Sequence, residues 1–290
     1  MQEYIDYLQP ILLFGLISSI LLTVAQSYGF FYLPPSLEKR SNPVSLKTIL
    51  VVFGIYLVMT AFIAPVLLNI VRSFYSDSIT EASLLSIFSW IQLLILGTIF
   101  LLFYLYSRSQ SPTLFKKIWK DRSIPHPKPI ATDFFMGVMT WIIGFPLVIV
   151  VGQLADMILY FFFGFQNYEQ VAVRYLKTTI GSPFTLSAAL FTILIAAPII
   201  EEFLFRGCLQ TFFKRYMMPK KAIVLSALCF ALFHFARSQG IGNISLVSSL
   251  FIFALFLGFI YERQASLFAS IGLHMTFNAV STLRILFFPE

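Results

Sequence analysis

Eight stretches of this chain run nearly free of charge for about the length a helix needs to cross a bilayer. They lie at roughly 9–31, 46–71, 84–106, 132–163, 184–213, 222–237, 246–262 and 266–287. Inside hydrocarbon every backbone N–H and C=O must be satisfied by the protein itself, which leaves helices and closed barrels. Nothing in the chain alternates in the roughly ten-residue pattern of a barrel strand. The expectation is therefore an all-α, polytopic membrane protein with about eight transmembrane helices. Charged residues make up 11% of the chain, against roughly 25% in ordinary soluble domains, and that excludes a water-soluble enzyme.

The net charge of +7 invites a nucleic-acid reading, but the basic residues are placed otherwise. If the first segment runs from outside to inside, one set of loops carries Lys39, Arg40, Lys47, Arg108, Lys116, Lys117, Lys120, Arg122, Lys128, Lys214, Arg215, Lys220, Lys221 and Arg263. The opposite loops carry only Arg72, Arg174, Lys177, Arg237 and Arg284. By the positive-inside rule the richer side is cytoplasmic, and both termini lie outside. The excess charge then serves topology and contact with anionic membrane lipids, with no nucleic-acid partner. The cell membrane is the expected location.

The longest cytoplasmic connection, Ser107 to Pro129, divides the chain into two regions. Residues 1–131 form an N-terminal three-helix membrane region with its linker, and 132–290 a five-helix region. Within the linker Leu114, Phe115, Ile118 and Trp119 interleave with lysines at helical spacing, which predicts a short helix on the inner membrane surface. Tyr168–Thr178 predicts a second amphipathic helix, and Gly181, Ser182 and Pro183 a turn, an N-cap hydroxyl and a first-turn proline. Cys208 and Cys229 fall within apolar segments and are read as buried free thiols. The acidic N-terminus lacks a basic n-region, so the first segment is expected to remain as a span.

The fifth apolar stretch contains PIIEEFLFRG, with Glu201, Glu202 and Arg206 after seventeen uncharged residues. A charge at the bilayer centre costs roughly 2.5–3.5 kcal/mol on insertion scales, so the three need partners. Glu202 and Arg206 stand four apart with the acid first, the favoured order for a helical ion pair. Glu201 points about 100° away and has no partner on its own helix. A carboxylate out of bulk water is the kind of group enzymes use as a general base. Neighbouring segments carry His234, and His274 with Asn278 one turn apart. Counted from the cytoplasmic ends at 1.5 Å per residue, Glu201 and His234 lie about 18 Å deep and His274 about 12 Å. A shared depth allows all of them to line one cavity, open to the cytoplasm.

EEFLFR, FALFH and HMTFN fit the patterns EExxxR, FxxxH and HxxxN in order on successive segments. In this the chain resembles the CAAX-protease and bacteriocin-processing (CPBP, or Abi) family of intramembrane proteases, over about residues 182–287. The resemblance implies that Glu201 activates water with help from His234. It implies that His274 and Asn278 stabilise the oxyanion, and that Glu202 and Arg206 support the site. The expected activity is a CAAX-processing-like endopeptidase acting on a membrane-associated, possibly prenylated, peptide or protein without a cofactor.

Two alternatives stay open. A zinc metalloprotease would use Glu201, His234 and His274 as ligands, although the HExxH spacing is absent. A non-catalytic bacteriocin-immunity or binding protein would need none of this chemistry.

Overall fold

A computed structural model describes residues 2–33, 44–74, 80–110, 112–121, 127–164 and 170–288. Among these residues all regular structure is helical apart from an isolated bridge between Lys120 and Ser266. The helices are α1 (Gln2–Ser27), α2 (Leu46–Phe74), α3 (Glu81–Ser109), α4 (Pro112–Trp119), α5 (Ile130–Phe163) and α6 (Val171–Thr179). After them come α7 (Pro183–Phe213), α8 (Pro219–Phe233), α9 (Asn243–Gln264), which a short 3₁₀ turn precedes, and α10 (Leu267–Phe287).

Six helical stretches among the described residues are long and apolar enough to cross a membrane: those of α1, α2, α3, α5, α7 and the 3₁₀–α9 unit. The other two expected segments are also helical, α8 with 15 residues and α10 with 21. At 1.5 Å per residue α8 is about 22 Å long, short of a hydrocarbon core of about 30 Å. It starts on Pro219, whose missing N–H costs nothing in a first turn, and breaks at His234 (φ −88°, ψ 3°). His234 is thereby placed at a helix end rather than within a crossing.

α7 is not uniform. It widens to π-type turns over Thr192–Ala196 and again over Phe203–Gln210, with the regular turns Ala197–Glu202 between them. Such turns loosen backbone carbonyls, and inside a membrane other groups must satisfy them. Asn278 Nδ2 donates to the Ile193 carbonyl (2.9 Å), Ser226 Oγ to that of Phe205 (2.9 Å) and Thr211 Oγ1 to that of Arg206 (3.1 Å). The two carboxylates thus lie on a short regular segment between two distortions that neighbouring side chains hold in place.

α5 and α10 meet backbone to backbone. A Cβ on Gly272 would lie 2.4 Å from the Phe134 carbonyl, and one on Gly137 only 2.0 Å from that of Ala269. Both positions need glycine, and the contact fixes the level of His274 two residues on. α1 lies along the same α5, with Leu12, Leu13, Leu16 and Ile20 exposed for lipid. The two regions on either side of the linker share one core: Phe103, Phe115 and Trp119 surround Phe203, and Phe53 meets Phe205 edge-on.

Several local expectations change. The linker helix forms as α4, but Phe115 and Ile118 are buried in the protein core instead of resting on lipid. Lys120 then pairs with Asp133, and the Asp121 N–H donates to the Ala265 carbonyl (2.9 Å), clipping the linker to the α9–α10 turn. The amphipathic helix appears as α6; Tyr168 and Glu169 of the predicted segment lie outside the described residues. Ser182 does occupy the N-cap of α7, but its side chain makes no cap bond. Instead Thr185 Oγ1 donates to the Thr179 and Ser182 carbonyls, each at 3.1 Å. Both cysteines are free thiols, Cys208 buried and Cys229 half-buried.

Candidate active site

Three elements bring the predicted polar groups together. α7 supplies Glu201, Glu202 and Arg206, the end of α8 supplies His234, and α10 supplies His274. Glu201 Oε2 lies 3.7 Å from His234 Nε2 and 3.8 Å from His274 Nε2. These separations exceed a direct hydrogen bond of about 2.7–3.2 Å. The Glu201 side chain is 15% exposed and that of His234 30%, so the cluster is buried but not sealed.

Each imidazole is oriented from its other nitrogen. His234 Nδ1 lies 2.8 Å from the Phe230 carbonyl, four residues back on α8. A carbonyl only accepts, so Nδ1 carries the proton and the Nε2 of neutral His234 offers a lone pair toward Glu201. His274 Nδ1 lies 2.8 Å from Glu202 Oε1 and donates to it. A buried carboxylate behind an imidazole is the arrangement that fixes its tautomer and stabilises an imidazolium when one forms.

Glu202 holds two partners at once. Its Oε1 also accepts from Arg206 Nη1 (3.1 Å), and both side chains are 0% exposed. Arg206 donates further to the Ala254 carbonyl of α9 (3.4 Å) and stacks on the Phe230 ring, 4.3 Å from its centroid. The i, i+4 ion pair is as the spacing predicts. The bond from Glu202 to His274 is additional: the residue expected to support the helix also holds a ring of the site.

Aromatic side chains close the walls. Phe230 lies against both imidazoles, with ring centroids at 4.6 Å for His234 and 5.9 Å for His274, and Phe253 meets His274 edge-on at 5.3 Å. The helical spacing of Phe230 and His234 in FALFH makes that contact readable from sequence. Tyr56 of α2 had no such signal. It lines the same cavity as Glu201, and its ring is 5.8 Å from that of Phe233.

Asn278 stands one turn beyond His274 on α10, and its amide donates to Ile193 instead of to the Glu201–imidazole cluster. One of its two N–H groups is used in this way. Among the described residues no three His, Cys, Asp or Glu side chains are grouped to hold a metal ion.

A cavity of about 450 Å³ opens from Glu201 between α2, α3 and α7. It passes Thr60 and Gln92 and reaches Asn69 and Arg72 at the far end of α2. It therefore leads away from the basic loops, whereas the sequence reading has the site open toward them.

What the cluster offers is a carboxylate facing two oriented imidazoles, in a partly dry pocket beside an elongated cavity. Residues 183–280 match the family model described as type II CAAX prenyl endopeptidase Rce1-like. No curated protein and no solved structure matches the chain.

Proposed function

We propose, from the match of residues 183–280 to the type II CAAX prenyl endopeptidase Rce1-like family model, that this protein is an intramembrane endopeptidase in which Glu201 and His234 activate a water molecule. The observation that carries the reading is the convergence of Glu201 Oε2 on two imidazole nitrogens, at 3.7 and 3.8 Å, from separate helices. One water fits beside these atoms at hydrogen-bond distance. Its oxygen adds to the peptide carbonyl carbon as Glu201 takes its proton, a contribution of roughly 10²–10⁴-fold. The negative charge gathers on the former carbonyl oxygen, where the remaining Asn278 N–H and His274 stabilise it, each worth about 10²–10³-fold. His274 acts there as an imidazolium, its Nδ1–H on Glu202 and its Nε2–H on the oxyanion. As the C–N bond breaks, the proton passes from Glu201 to the leaving nitrogen. Glu202 and Arg206 hold His274 and the helix.

The chemistry belongs to residues 132–290, and α2 and α3 of the first region wall the cavity together with α7. On the positive-inside orientation the chain makes eight crossings of the cell membrane with both termini outside. The substrate is a membrane-associated peptide or protein cut near one end, prenylated CAAX tails among the candidates. A zinc reading at Glu201, His234 and His274 requires zinc in the purified protein and loss of activity on chelation; activity that survives chelation in zinc-free protein removes it.

The deciding experiment compares native membranes carrying wild type or Glu201→Ala by quantitative peptide profiling. Accumulation of an uncleaved precursor in the variant is expected. Identical profiles would replace the proteolytic reading with the binding one, an immunity-type protein.

A further inference from the structure

The cavity beside Glu201 is long, apolar in the middle and polar at both ends. Tyr56 and Arg72 mark its ends on α2. The sixteen steps from one to the other correspond to about 24 Å at 1.5 Å per residue. Leu68, Ile91, Ile95 and Leu96 form the middle. Thr60, Asn69 and Gln92 are spaced along the wall, and Arg72 lines the end far from Glu201. Arg72 is exposed and makes no ion pair among the described residues. The Gln92 side-chain oxygen already accepts from the Tyr175 hydroxyl (2.6 Å), which directs its amide N–H groups elsewhere.

We propose that this chamber holds the part of the substrate C-terminal to the scissile bond, in extended form, with its terminal carboxylate on Arg72. This rests on the proteolytic reading and adds the length, polarity and direction of the substrate tail. Charge decides the direction: a guanidinium matches a carboxylate in geometry and sign, whereas the opposite end of a peptide is an ammonium. Length decides the class. An extended chain covers about 3.3–3.6 Å per residue, so about 24 Å takes roughly seven residues, while a tripeptide tail of about 10 Å ends midway.

The wall decides between a peptide and a lipid. A fatty acid with its carboxylate on Arg72 would bring only methyl and methylene groups to Glu201, where there is nothing to hydrolyse. It would also leave the Gln92 amide N–H groups unanswered, since Gln92 uses only its oxygen on Tyr175. A peptide backbone carries a donor and an acceptor at nearly every residue. The Asn69 and Gln92 amides answer them along the path, with the oxygen of Thr60, whose own proton goes to the Tyr56 carbonyl. The substrate class is thus an apolar C-terminal tail of about six to eight residues with a free carboxylate.

The test uses the full-length Glu201→Ala variant in detergent micelles, so that binding is read without cleavage. The probes are eight-residue Ala/Leu peptides carrying a benzophenone near the C-terminus, as free acid or as amide. The acid is expected to bind about tenfold to hundredfold more tightly than the amide and to crosslink to Leu68–Arg72 and Phe88–Gln92. Arg72→Gln removes that preference, and Arg72→Glu transfers it to a peptide amide ending in lysine.

Equal binding of acid and amide, crosslinks confined to other helices, or full displacement by a fatty acid or an isoprenoid alcohol would overturn the proposal. The two readings fail separately. Carboxylate-dependent binding with no precursor accumulating in Glu201→Ala membranes keeps the chamber and removes the protease. Cleavage by the wild type that is indifferent to tail length and to Arg72 keeps the protease and removes the chamber.

Discussion

Glu201 and Glu202 are adjacent in sequence, yet their surroundings give them different work. Glu202 is fully buried between Arg206 and His274. Removing one partner of a buried pair leaves the other charged and unpaired, at a cost of about 3–5 kcal/mol. Glu202→Gln is therefore expected to lower the unfolding temperature in detergent sharply and to reduce activity with it. Glu201 has no direct hydrogen bond to its imidazole neighbours, so Glu201→Gln should change stability by less than about 1 kcal/mol while abolishing cleavage. A Glu201→Gln protein that unfolds as readily as Glu202→Gln would contradict this division. Asn278→Ala is expected to reduce kcat by about 10²–10³-fold with KM little changed. A loss confined to stability would leave Asn278 only its bond to Ile193. The sequence makes part of this legible. The four-residue spacing of Glu202 and Arg206, and of Phe230 and His234, is a local relation that helical geometry turns into contact. The bond from His274 to Glu202 joins residues 72 apart, and nothing local foretells which of two adjacent carboxylates will face a given ring.

The helices themselves are legible because apolar length is a property of a segment alone. Their irregularities are not. The π-type turns of α7 depend on side chains supplied by other helices, as with Asn278 and Ser226, and no hydropathy pattern records such help. The same holds for α4, whose amphipathic pattern suits a membrane surface equally well; the proximity of Phe203 decides for the core. Phe203→Ala should cost about 3–5 kcal/mol, measured as a fall in unfolding temperature, by removing the ring that Phe103, Phe115 and Trp119 share. The α5–α10 contact gives a sharper test. Gly272→Leu forces a side chain against the Phe134 carbonyl and is expected to cost at least about 1–3 kcal/mol. It also shifts His274, so kcat should fall further than the unfolding temperature implies. Normal kcat in a folded Gly272→Leu protein would show that the level of His274 does not depend on this packing.

At the scale of the molecule, the cavity is lined by the end of α2 at Arg72 and by α3 and α7 as far as Leu96 and Glu201, whereas Lys116 and Lys214 follow the other ends of α3 and α7, and this predicts labelling patterns. In a Cys229→Ala background, Ser73→Cys beside Arg72 should react with a membrane-impermeant maleimide on intact cells. Lys116→Cys on α4 should react only after permeabilisation. The reverse pattern would invert the orientation and turn the cavity mouth toward the cytoplasm. α8 carries a last consequence. On the eight-crossing reading its 15 residues reach only about 22 Å, and the bilayer around it then thins or lets water in to accommodate so short a wall. Each ångström of hydrophobic mismatch costs a fraction of a kcal/mol. Turnover by the reconstituted protein should therefore decline as host lipids are lengthened, which makes bilayer thickness a physical control on where in a cell this chemistry proceeds.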